Sequence, residues 1–114
     1  MSDSYKIKSR VWIEAGDHVL IGEGRVKLLK AIEEQGSLSK AAKSIGMSYK
    51  KAWTLIDSMN KSAKEEIVIS SVGGQQGGGT MVTEYGKNLI DNFETINQNC
   101  WNYLDQQLKT LNDL

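Results

Sequence analysis

The chain has 114 residues, no proline, one cysteine, one histidine and a formal net charge of zero, a length that suits one domain with a modest core. No apolar run approaches the roughly 20 residues of a membrane helix, and the N-terminus MSDSYKIKSR lacks a secretory apolar stretch, so a cytoplasmic location and no membrane partner are expected. The lone Cys100 excludes an internal disulfide and, with one histidine, a zinc site built from His and Cys alone.

In chain order, residues 5–16 (YKIKSRVWIEAG) alternate Ile7, Val11 and Ile13 with Lys6, Lys8, Arg10 and Trp12, which predicts a strand. Residues 22–36 carry Val26, Leu28, Leu29 and Ile32 at helical spacing, with Gly36 as the stop. A short second helix follows over 37–46, capped by Ser37, with Leu38, Ala41, Ala42 and Ile45 on one side. The third helix, 48–63, starts at the candidate cap Ser48 and places Ala52, Leu55, Ile56 and Met59 in a buried stripe. Tyr49, Lys50, Lys51, Thr54 and Asp57 fall on or near the opposite side.

Only Gly46 and Met47 separate the second and third helices. A short helix, a glycine-containing turn and a longer helix make a helix-turn-helix, whose second helix presents its first residues to base edges. Residues 37–64 carry six lysines against Asp57 alone, whereas 84–114 carry two lysines against five acids. Such segregation implies a basic face for a polyanion, or else a solvated helix surface.

Residues 67–72 and 80–83 are short β-branched runs around a tract with five glycines in seven residues, Gly73 to Gly79. The tract approaches a phosphate-binding G-x-x-x-x-G-K-[ST] loop, but Gly79 stands where the lysine is needed and no helix follows directly. A hairpin tip fits better, which makes this the wing of a winged helix-turn-helix. A flexible hairpin without a ligand is the other reading. The last segment, from Thr83 as cap to Leu111, spaces Leu89, Phe93, Ile96, Cys100, Leu104 and Leu108 as one helical stripe. One small domain can hardly cover so long a stripe, so these residues are expected to line a homodimer interface. The alternative is a helix folded back on its own domain.

The stretches SYKKAWTLIDSMN (48–60) and VGGQQGGGTMVTEYGKNLI (72–90) resemble the DNA-binding domain of the ModE-type molybdate-dependent transcriptional regulators. The resemblance covers about residues 22–100. It implies a homodimeric winged helix-turn-helix on palindromic double-stranded DNA. On that pattern Ser48, Tyr49, Lys50 and Thr54 face the major groove, with Lys51 beside them. Gln75, Gln76 and Gly77 belong to the wing, and Arg25 touches phosphate. The family's C-terminal oxyanion-binding domains have no counterpart in these 114 residues, so molybdate sensing is not carried over and no cofactor or small-molecule effector domain is expected.

The fold class expected is mostly α with a small β component: a winged helix-turn-helix over 1–83, then a C-terminal dimerisation helix of the same domain over 84–114, with an N-terminal strand. The function expected is a DNA-binding regulator acting as a homodimer on an inverted repeat. The alternative is a winged-helix module whose basic face binds an acidic protein. No convergent nucleophile, base and orienting group is visible, so no enzymatic activity is expected.

Overall fold

The computed structural model describes residues 4–71 and 79–114. Two strands, β1 (Trp12–Ala15) and β2 (His18–Gly22), form an antiparallel hairpin closed by Gly16 and Asp17. The strand expected over residues 5–16 is therefore paired only from Trp12 onward, and its partner β2 was not foreseen. Residues 5–11 have no neighbouring strand among the described residues to take their backbone hydrogen bonds, so alternation there does not become a strand. The remaining elements lie within two residues of their expected ranges: α1 (Glu23–Gln35), α2 (Leu38–Ser44), α3 (Tyr49–Ser62), β3 (Val68–Ser70), β4 (Thr80–Val82) and α4 (Glu84–Asn112).

The helical stripes build one core. Val26, Leu28, Leu29 and Ile32 of α1, Ala41 and Ala42 of α2, and Ala52, Ile56 and Met59 of α3 are all buried together. Ala41 and Ala42 are small enough for α2 to lie close against its neighbours. The α2–α3 turn passes through Gly46 at φ +69°, a left-handed conformation that glycine adopts at no steric cost. Ser37 caps α2 by accepting from the Lys40 N–H at 3.2 Å. The two short strands β3 and β4 pair antiparallel, Val68 with Val82 and Ser70 with Thr80. The Thr80 N–H also donates to the Gly36 carbonyl at 3.1 Å, joining β4 to the α1–α2 turn. Three helices, a helix-turn-helix and a following hairpin make a winged helix-turn-helix, extended by the long α4.

Side chains fix the hairpin to the helices. Asn60 of α3 accepts from the Ile67 and Val68 N–H groups at 2.8 and 3.1 Å, and its amide donates to the Val68 carbonyl at 2.9 Å. Thr83 caps α4 by accepting from the Gly86 N–H at 3.0 Å, while its hydroxyl donates to the Glu66 carbonyl at 2.7 Å. Gly86 then touches the strand directly. A Cβ at this position would stand 2.6 Å from the Ile67 carbonyl oxygen and 2.7 Å from Val82 Cγ1.

At roughly 1.5 Å per residue, the 29 residues of α4 run about 43 Å. Ile90 and Phe93 enter the common core, and Lys30 of α1 pairs with Glu94. Farther on, Tyr5 exchanges two backbone–side-chain hydrogen bonds with Asn112, which lays the N-terminal segment beside the last turn of α4. No described helix is long and apolar enough to cross a membrane.

Gly86→Ala overpacks a contact made partly by backbone, at a cost of about 1–3 kcal/mol. The gain of roughly 1 kcal/mol that alanine enjoys over glycine inside a helix offsets part of it, for a net loss of up to about 2 kcal/mol. Thermal unfolding should show a lower midpoint; an unchanged or raised one would mean that the α4–β3 contact opens freely.

Candidate nucleic-acid interface

The α3 residues opposite the buried stripe form an exposed face. Tyr49 and Trp53, one turn apart, are 57% and 53% exposed, and Lys50 and Thr54 are exposed beside them. Asp57 continues this face and pairs with Lys61 at 2.9 Å. Lys50 has no acidic partner among the described residues. The face therefore offers two aromatic rings and an unneutralised ammonium group. Trp53 was not assigned to the site from sequence. Its signal was there, since it lies four residues from Tyr49 and off the Ala52, Ile56, Met59 stripe.

Two hydroxyls of the expected site also hold the helix. The Ser48 hydroxyl accepts from the Lys51 N–H at 3.1 Å as the N-cap of α3, leaving its own O–H as a donor. Thr54 donates to the Lys50 carbonyl at 2.9 Å, leaving an oxygen lone pair and a methyl group outward.

Lys51 is also exposed, on the flank of α3. It lies with Met47 and Leu55, at four-residue spacing, along a cavity that Arg10, Trp12 and Arg25 also line. Arg25, on the first turn of α1, is half-buried, and burial lowers its pKa below the ordinary arginine value. Its Nη1 is sealed from solvent without an acceptor among the described residues. Gln75, Gln76 and Gly77 lie outside the described residues. At the base of the wing, the Ser71 N–H donates to the Gly79 carbonyl at 2.9 Å and the Gly79 N–H to Ser71 Oγ at 3.1 Å.

The residues expected at a dimer interface divide. Phe93 is only 2% exposed and belongs to the core of its own chain, so it has no surface left for a partner. The stripe crosses from core to surface because α4 outruns the domain. Ile96 is 48% exposed, while Leu89, Cys100, Leu104 and Leu108 are half-buried. Tyr103 and Leu111 add exposed apolar surface on the same helix.

No protein-family model matches the chain. Over 106 residues it is 36% identical to the molybdenum transport protein ModE of Azotobacter vinelandii, covering 93% of this chain and 39% of that protein. It is 42% identical over 74 residues to the DNA-binding transcriptional dual regulator ModE of Escherichia coli strain K12, covering 65% of this chain and 28% of that one. The chain is a relative of the ModE-type transcriptional regulators. Another relative is the molybdenum-pterin-binding protein MopB of Rhodobacter capsulatus, 38% identical, with 81% of this chain and 34% of MopB covered. The chain thus spans well under half the length of these ModE and MopB relatives. In fold it is similar to the crystal structure of a CbnR DNA-binding domain complexed with DNA. The TM-score is 0.56 at 15% identity, covering 77% of this chain and 95% of that one.

Ser48→Ala removes the cap of α3 and should cost about 1 kcal/mol, read as a lower urea midpoint. Thr54→Ala removes only an exposed bond back to the preceding turn and should stay within about 0.5 kcal/mol of the parent. Equal losses in the two variants would contradict the capping role.

Proposed function

We propose that the protein is a transcriptional regulator that binds double-stranded DNA as a homodimer at an inverted-repeat operator. The observation that carries this is the exposed face of α3, the second helix of the helix-turn-helix, with Tyr49, Lys50, Trp53 and Thr54 turned to solvent. A lysine near the start of such a helix reaches a guanine edge or a flanking phosphate, and aromatic rings beside it pack on sugar or on the thymine methyl. The ModE relatives, named as transcriptional regulators, one of them DNA-binding, support the same reading.

The homodimer rests on α4. Ile96, Tyr103 and Leu111 expose apolar surface along a helix that leaves the domain core after Phe93. Pairing two such helices removes that surface from water, and Tyr5 of the N-terminal segment lies beside the far end of the same helix. A two-fold axis then sets the two α3 helices about one turn of the duplex apart, roughly 34 Å, or a multiple of it.

Lys50→Ala should weaken binding to a selected operator by about 1–3 kcal/mol and flatten the dependence of affinity on salt. Affinity within a factor of two of the parent would move the contact elsewhere. Binding of an acidic protein in preference to duplex DNA would favour an interaction module.

Ile96→Asp combined with Leu104→Asp should give a folded monomer with much weaker operator binding, checked by sedimentation equilibrium and circular dichroism. Both positions retain exposed surface in the single chain, unlike Phe93, whose replacement would attack the core. A wild type that sediments as a monomer at micromolar concentration while protecting an inverted repeat at full affinity would refute the dimer.

A further inference from the structure

The cavity beside α3 has a volume of about 380 Å³ and lies between the β1–β2 hairpin, the first turn of α1 and the flank of α3. That is near the lower end of the roughly 300–1,000 Å³ range of small-molecule sites. Three cations line it, Arg10, Arg25 and Lys51, and none forms an ion pair among the described residues. Glu23 is the one acid in the lining, and its Oε1 already accepts from Asn97 Nδ2 at 3.2 Å. The sealed Nη1 of Arg25 has no acceptor among the described residues. A charged donor without an acceptor is costly; an anion in the cavity would not reach Nη1 itself, but its charge beside the guanidinium would offset part of that cost. The remaining wall is largely apolar, with Trp12, Val19, Met47 and Leu55. A bare inorganic anion would leave that wall against water, whereas an anion with an apolar body would cover it.

We propose that this cavity binds a small organic anion, a carboxylate or phosphate ester carried on an aromatic or aliphatic body. Arg25 receives the anionic head, Arg10 and Lys51 flank it, and the body lies on Trp12, Met47 and Leu55. Arg25 and Lys51 also belong to the expected DNA face, so the test is read without DNA and its outcome does not depend on the proposed DNA contact.

The test is a titration of the uniformly ¹⁵N-labelled chain with 2-naphthoate, with 2-naphthamide as the uncharged counterpart and with inorganic phosphate as the anion lacking a body. The indole N–H of Trp12, which donates to Glu14 Oε2 at 3.1 Å, and the Gly24 amide report the cavity. Naphthoate should shift both signals saturably, and naphthamide and phosphate should each bind at least about tenfold more weakly, the factor that one charge-assisted hydrogen bond supplies. Arg25→Met should lose the naphthoate response to a similar degree. Lys51→Met, at an exposed position, should weaken it also and keeps the test alive where Arg25→Met fails to fold. Absence of a saturable shift in the wild type, or equal affinity for naphthamide, overturns the proposal. If Arg25→Met instead loses duplex binding while naphthoate leaves the wild-type spectrum unchanged, the cations serve the DNA backbone and the proposal fails.

Discussion

The peptide unit of Ile67 holds α3, the β3–β4 hairpin and α4 in one arrangement. Its N–H goes to Asn60 of α3, and its carbonyl accepts from the Thr83 N–H at 2.9 Å, next to the start of α4. Its side chain is fully buried, and both its carbonyl and Cγ2 lie against Gly86. Two three-residue strands make a marginal hairpin by themselves. Here the hairpin does not need to be stable by itself, because Asn60 and Thr83 tie its root to two helices. The angle between α3 and the wing is therefore set by side-chain-to-backbone bonds. These are expensive to break, since each leaves a partly buried amide or carbonyl without a partner.

The same node explains how α4 can be both core and projection. Its first three turns are fixed by the Thr83 cap, by the close approach at Gly86 and by Ile90 and Phe93 in the core. Beyond Asn97 the helix continues on its own backbone hydrogen bonds, with the N-terminal segment beside its end. A helix anchored so firmly at one end holds its exposed residues at fixed positions. In the proposed dimer, that stiffness carries the spacing of two α3 helices from one interface.

Local signals made most of this legible from sequence. Helical stripes, serine and threonine caps and glycine stops each act within a few residues, and they placed all four helices and both wing strands. Where pairing between distant segments decides, sequence reading ran out. The sequence assigned no element to residues 17–21, whose Val19, Leu20 and Ile21 become β2 only by pairing with Trp12–Ala15. Residues 5–11 alternate as a strand should, but a strand needs a neighbour. The site divides in the same way. Tyr49, Lys50 and Thr54 lie on the exposed face that the helical period gives them. Lys51, next to Lys50, is exposed as well but also lines the cavity that the β1–β2 hairpin closes, which local spacing does not reveal. Phe93 fits an interface stripe by period and a core by its depth in the domain, and only the packing of α4 decides.

Electrostatics follows from the same placement. A net charge of zero suggests a weak field, yet the opposite charges are carried by different elements. The acids of α4 belong to a helix that packs on β4 and α1, where Glu94 meets Lys30 and Asn97 meets Glu23. A helix with its side chains is about 10 Å across, comparable to the Debye length of roughly 8 Å at physiological salt. Charges separated by the domain core are thus largely screened from one another, and Lys50 is not cancelled by α4. The one acid on its own helix, Asp57, is engaged by Lys61 a turn further on. A polyanion approaching α3 meets a locally basic surface on a chain that is neutral as a whole. The chain can then be steered at short range without the long-range pull of a strongly basic protein, and base and sugar contacts would carry a larger share of the affinity.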